Sequence, residues 1–180
     1  MKYYIPLTDL SKIKHLASVR ENENFRFRTF LKCGDSDRID SIVHKLHDEI
    51  TESINCSTCG NCCKHLNPSI KKEEIEILAS LENINPEEYI KRHCEEEYGD
   101  IFLKETPCRY LENTECKIYD HRPEDCCLFP YTRKKRFISR LYGMLDRYEI
   151  CPIVFNLMER LKDELRFKRD SQNILNKRKK

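Results

Sequence analysis

The sequence predicts a mainly α-helical fold with a few short strands, arranged as a small cysteine-rich, metal-centred domain. Three observations carry this. Apolar residues recur at helical spacing in several stretches, each opened by a capping residue. Hydrophobic residues make up 39% of the 180-residue chain and charged ones 36%, with a mean hydropathy of −0.73, so the apolar core is small. There are also 11 cysteines. That is about 6% of the chain, above ordinary usage but below the ~8–10% of disulfide scaffolds.

In chain order, residues 1–24 are polar and mixed, with Pro6 early, and read as a loosely docked segment. Phe25-Arg26-Phe27-Arg28-Thr29-Phe30-Leu31 alternates with period two and predicts a strand. Ile39, Ile42, Val43, Leu46 and Ile50 then fall on one helical face, predicting a helix over 37–54. Asp35, Ser36 and Asp37 suit its N-terminus. Asn67-Pro68-Ser69 opens a second helical stretch over 69–81. Asn85-Pro86-Glu87-Glu88 combines an N-cap, a proline at the first helical position and two acids, and predicts a helix over 86–97 that stops at Gly99. Asn113-Thr114 lies between Tyr110-Leu111 and Cys116-Lys117-Ile118-Tyr119, the pattern of a small hairpin. Arg122-Pro123-Glu124-Asp125 opens a helical turn carrying Cys126 and Cys127, ended by Phe129-Pro130. Residues 131–150 read as a strand or two. Cys151-Pro152 starts the clearest helix, 152–170, on the stripe Ile153, Val154, Leu157, Met158, Leu161 and Leu165. The tail at residues 176–180 is expected to fray. The organisation expected is an N-terminal segment over 1–53, a cysteine-cluster domain over 54–153, and a C-terminal helix with a basic tail over 154–180 packed on the same domain.

No apolar run approaches the ~18 residues of a membrane span, so no membrane partner is expected. Met1-Lys2-Tyr3-Tyr4-Ile5-Pro6 has no apolar stretch suited to secretion. A cytoplasmic, reducing setting is therefore expected, where clustered cysteines serve metals rather than disulfides. With only 4 glycines, the chain has no phosphate-cradling loop, and it shows neither a nucleophile elbow nor an HExxH motif. The net charge is +2, but residues 131–180 carry 15 basic and 6 acidic side chains. That basic C-terminal part, with Arg133-Lys134-Lys135-Arg136, gives a thin argument for nucleic acid beside a protein partner as the other candidate.

Cys56-x2-Cys59-x2-Cys62-Cys63 is the sharpest feature. Two residues between cysteines let a tight turn aim both sulfurs at one ion, and Gly60 permits the positive φ such a turn often needs. Zinc commonly takes two separated CxxC pairs, and a second pair is missing here. The Cys-x2-Cys-x2-Cys run is similar to the bacterial ferredoxin spacing, which wraps three corners of a four-iron cube and is closed by a distant Cys-Pro. Cys151-Pro152 is a candidate closer. The spacing thus favours a 4Fe-4S iron–sulfur cluster, with zinc as the alternative. His44, His47, His65 and His121 read as surface or helix residues.

The run Cys56…Cys63, then Cys108, then Cys116-Lys117-Ile118-Tyr119 with Arg122-Pro123 and Cys126, then Phe129-Pro130 and Cys151-Pro152, resembles the YkgJ-type cysteine-cluster family, a zinc- or iron-chelating domain with a CxxCxxCC signature. The resemblance covers residues 54–153. It implies eight metal ligands: Cys56, Cys59, Cys62, Cys63, Cys108, Cys116, Cys126 and Cys151. Cys33, Cys94 and Cys127 fall outside it; the family commonly has Arg where this chain has Cys127. A flagellin lysine methylase carries a similar cluster in a much longer chain, and its activity is not implied.

Three functions follow from this reading. The first is a metal-binding protein with no assigned reaction. The second is a metal-dependent or redox enzyme using the cluster for group transfer, with unknown catalytic residues. The third is a nucleic-acid-associated protein with a structural zinc site.

Overall fold

The computed structural model describes residues 4–169. In chain order these form α1 (Leu10–Val19), α2 (Glu21–Lys32), α3 (Ser36–Thr51), α4 (Lys72–Leu81), α5 (Pro86–His93), β1 (Cys94–Glu97), β2 (Asp100–Leu103), β3 (Leu111–Glu112), β4 (Glu115–Cys116), α6 (Glu124–Leu128), α7 (Leu141–Tyr148) and α8 (Pro152–Glu164). The fold is mainly helical, and the strands make only two antiparallel hairpins, β1-β2 and β3-β4. No helix among the described residues is long and apolar enough to cross a membrane. The basic tail at 176–180 lies outside the described residues.

Met1–Ile54 and Pro130–Lys180 together contribute one compact unit, and Asn55–Phe129 contribute a second. The first unit is a conventional helical assembly. Asp35 caps α3, its carboxylate accepting from Arg38 N at 2.9 Å. Ile39, Val43, Leu46 and Ile50 of α3 are buried, as are Ile153, Val154, Leu157, Met158 and Leu161 of α8. Arg160 of α8 reaches Glu49 of α3 at 2.5 Å.

This core also holds a charge. Lys162 is fully buried, and its ammonium donates to Glu23 Oε1 at 2.7 Å, Asn24 Oδ1 at 2.6 Å and Glu159 Oε1 at 2.7 Å. All three ammonium protons are thus used, which is what makes a buried lysine tolerable. Glu159 also accepts from Tyr148 at 2.6 Å and Arg169 at 2.6 Å, and pairs with Arg20. Burial works against its charge, but Lys162 and these other donors outweigh that and hold its carboxyl down at about 2.

Several expectations fail in this unit. Residues 25–31 form the second half of α2, not a strand. Phe27 and Leu31, four apart, are fully buried, whereas Phe25 and Phe30 are exposed. The apparent alternation is therefore two exposed phenylalanines on either side of a helical i, i+4 core pair. Residues 131–150 likewise hold no strand. They form an irregular loop, a 3-10 turn at Phe137–Arg140 and α7. The N-terminal stretch is docked, with Ile13 of α1 fully buried and Tyr4 OH and Leu7 N both donating to Asn156 Oδ1 at 2.5 and 2.9 Å.

The second unit has a smaller core of Ile70, Ile75, Leu78, Ala79, Tyr89, Cys94, Leu103 and Tyr110. Helix α5 starts at Asn85, whose side chain accepts from Glu88 N at 2.8 Å. It stops at His93, four residues before the expected end, because Cys94–Glu97 pairs with Asp100–Leu103. Gly99, at φ 86°, turns the hairpin.

Candidate metal centre

The sulfur-bearing segments are short and are held by side chains rather than by long elements. Asn55 is extended, and its Oδ1 accepts from Ser57 N at 3.0 Å and from the Ser57 hydroxyl at 2.7 Å. This starts a 3-10 turn at Cys56–Thr58, closed by Cys59 N donating to Cys56 O at 3.2 Å. Gly60 follows at φ 57°, and a Cβ there would lie 2.5 Å from Thr114 O. Only glycine allows both the left-handed backbone and this approach to the β3-β4 turn. A second 3-10 turn, Cys62–Lys64, is closed by His65 N and Leu66 N donating to Cys62 O at 3.0 and 2.9 Å.

The later cysteines come to this segment by backbone pairing. Cys108 N donates to Cys63 O at 2.7 Å. The β3-β4 hairpin, with Leu111 opposite Cys116, carries Cys116 back past Tyr110, whose carbonyl accepts from Lys117 N at 2.9 Å. Helix α6 brings Cys126. Its position is fixed by Asp125 Oδ2 accepting from Ser69 N at 3.1 Å, and by Glu74 of α4. One oxygen of Glu74 accepts from Lys71 N at 2.8 Å and the other from Glu124 N at 2.6 Å. A single carboxylate thus caps two helix starts. The cap at Lys71 is visible in the sequence as spacing; its second partner, 50 residues away, is not.

Electrostatics report which thiols feel one another's charge. Burial pushes the Cys126 thiol up to about 12, and the charges of Cys63, Cys108, Asp125 and Cys116 add to this. Cys108 and Cys116 are also raised by burial first, with Cys63 contributing to both. Cys56, exposed as a residue, is raised by packing around its sulfur and by Cys59. Cys63 goes the other way, to about 7. The Cys62 thiol, 4.0 Å away, donates to its sulfur, against the opposing effect of burial, and its own amide and Arg122 help. Four sulfurs ~2.3 Å from a tetrahedral zinc stand ~3.8 Å apart. The 4.0 Å between Cys62 and Cys63 is close to that spacing.

Arg122 is the cation whose charge acts on several of these thiols. Its guanidinium lies 3.8 Å from the centre of the Tyr119 ring and donates to Cys127 Sγ at 3.2 Å. Its charge lowers the thiols of Cys56, Cys63 and Cys116. Cys127 is exposed and returns a bond to Arg122 O at 3.7 Å.

All eleven cysteines are free thiols. Seven of the eight expected ligands, Cys56, Cys59, Cys62, Cys63, Cys108, Cys116 and Cys126, lie in the Asn55–Phe129 unit. Cys151 belongs to the other unit, where it is buried at the start of α8. Cys94 is buried in β1, Cys33 is exposed after α2, and His65 and His121 are exposed. Among the described residues, no three cysteine, histidine or carboxylate side chains already stand in an arrangement that would hold an ion. The donor set is nevertheless all soft thiol and mutually repulsive once ionised, which is the chemistry zinc and iron centres use.

Residues 55–145 match the CxxCxxCC family, described as a "Putative zinc- or iron-chelating domain". The chain belongs to this family. No curated protein and no solved structure matches the chain. The CxxCxxCC match begins at Asn55, the residue that caps the first cysteine turn, and ends at residue 145 within α7. It includes seven of the expected ligands; Cys151 lies six residues beyond it. The family description supports metal binding, zinc or iron, in general.

Proposed function

We propose that this protein is a thiolate metal-binding protein whose centre is built within the Asn55–Phe129 unit from Cys56, Cys59, Cys62, Cys63, Cys108, Cys116 and Cys126. The observation that carries the reading is geometric: Cys108 N donates to Cys63 O at 2.7 Å and the Cys62 and Cys63 sulfurs stand 4.0 Å apart, and the charges of Cys63, Cys108 and Cys116 all act on the Cys126 thiol, joining these four to one neighbourhood. Thiols that raise one another's pKa are relieved by a bound cation, and binding releases their protons. The four would close on one centre by a shift of their sulfurs. Cys56, Cys59 and Cys62 keep the spacing of three corners of a four-iron cube, which supports an iron–sulfur cluster over zinc. Arg122 offsets part of the thiolate charge. When bound, the metal supplies a positive centre that ties the short segments together. The residues around it orient the sulfurs through Asn55, Glu74 and Asp125.

Anaerobic purification followed by metal and acid-labile sulfide analysis tests this. Brown protein with iron and sulfide supports the cluster, and colourless protein with stoichiometric zinc replaces it with a zinc site. Cys108→Ser and Cys126→Ser are each expected to lose at least half of the bound metal, while Cys94→Ser keeps it. Unchanged metal in both of the first two variants overturns the ligand set.

A further inference from the structure

Residues 131–145 carry five basic side chains and no acidic one. Four of them, Arg133, Lys134, Lys135 and Arg136, are consecutive and exposed. Such a run is ordinarily a solvated, mobile stretch, but here the loop is built. Its two ends, Tyr131 and Arg136, sit in the left-handed region at φ 64° and 61°. For non-glycine residues that region carries a steric cost, which the contacts around this loop offset.

The surroundings are specific. Buried Asp40 accepts from Arg136 N at 2.6 Å and Phe137 N at 2.8 Å. The Arg140 guanidinium donates to the carbonyls of Tyr131, Lys134, Lys135 and Arg136. Thr132, almost fully buried, bonds His47 Nδ1 at 2.7 Å. Arg147 passes over Gly143, where a Cβ would lie 2.3 Å from its Nη1, and its guanidinium stands 4.9 Å from the Tyr131 ring centre. One half-buried arginine and one buried aspartate therefore fix the backbone of a loop that presents cations outward. Arg133 pairs with Asp48, but Lys134, Lys135 and Arg136 have no carboxylate partner among the described residues.

We propose that this loop docks the phosphate backbone of a nucleic acid, without reading base sequence. Preorganisation fits a repeating line of anions, since the backbone that carries the cations needs no ordering on binding. The loop offers no apolar anchor for a lipid surface, because Phe137 is buried and the Tyr131 ring is flanked by Lys134 and Arg147. It makes no use of the cysteines and stands whether or not they bind metal.

The test uses the full chain as purified and a fluorescein-labelled 20-nucleotide single strand of mixed sequence, followed by anisotropy between 50 and 200 mM salt. Three phosphate contacts predict a log–log salt slope of about −2, hence roughly 20-fold weaker binding across that range. Lys134→Ala/Lys135→Ala should leave metal content and helical circular dichroism unchanged while reducing the loss across that range to roughly threefold. No binding at 50 mM salt overturns the proposal, as does equal affinity and slope in the double variant. A polyglutamate peptide of the same charge that competes as well as unlabelled oligonucleotide overturns it in favour of an acidic protein partner.

Discussion

The two units of this chain solve the same problem by different means. Of the buried hydrophobic residues described, 19 belong to the helical unit and 8 to the cysteine unit. The helical unit buries stripes of long helices and has enough core to accommodate a fully buried lysine. The cysteine unit is made of turns, two hairpins and three short helices, and its thiols sit beside its small core. Cys108 and Cys116 pack against that core as partly buried residues. The contrast teaches where stability resides. A unit with few apolar contacts and many free thiols gains from coordination what the other gains from burial.

Metal removal is the strongest way to break that comparison. Chelation under reducing conditions should unfold the cysteine unit first. Hydrogen exchange would read this as lost amide protection in α4, α5 and the hairpins, with α3 and α8 still protected. Equal loss in both units would show that the division of stability is wrong.

The next effect belongs to the helical unit. Lys162→Ala strands the carboxylates of Glu23 and Glu159 without their buried cation and should cost about 3–5 kcal/mol. Lys162→Met should cost less when paired with Glu23→Gln and Glu159→Gln. Urea midpoints of Lys162→Ala, Lys162→Met and the triple variant measure this, and bound metal should not change.

Acid separates the units in another way. Glu159 titrates at about 2 when folded, below its ordinary value of 4.5. A depressed folded pKa means that the unfolded chain binds the proton first. The stability from Glu159 is therefore complete above about pH 4.5 and is lost as pH falls toward 2, a change on the order of 3 kcal/mol. Glu159→Gln should flatten the acid limb of the stability profile between those values, with the readout taken on α8.

The smallest predicted effect sharpens the picture of the cysteine turn. Gly60→Ala meets both a left-handed φ and the Thr114 carbonyl, and should destabilise the cysteine unit by about 2 kcal/mol. Gly99→Ala, with nothing within 4 Å of the added carbon, pays only for its φ and should cost about 1 kcal/mol. Thermal shifts of the two variants in the metal-loaded protein give the ranking.

Much of the fold was legible where local chemistry decides it. Asp35, Asn85-Pro86 and Cys151-Pro152 each start a helix at or within a residue of the expected position. The Asn113-Thr114 turn also forms as read. Helix α2 was not legible, because Phe25 and Phe30 are exposed aromatics that mimic strand alternation. The cysteines stood out as candidate donors from their spacing and from the family resemblance. What the sequence could not show is how they are held. Asp125 on Ser69, Glu74 on Glu124 and Asp40 on the loop at 136–137 each span 50 or more residues, and no local pattern encodes such partners.

One feature of the layout bears on how the molecule is made. The helical unit is assembled from Met1–Ile54 and Pro130–Lys180, and the cysteine unit is the stretch between them. On the ribosome, α1, α2 and α3 emerge early but have no α8 to cover them. Every expected ligand from Cys56 to Cys126 has been synthesised before α7 begins. The order of translation therefore gives the thiols time to capture their ion while the first three helices still wait. A nascent chain stalled soon after residue 129 has cleared the exit tunnel would already hold metal, yet lack the segment that closes its larger unit.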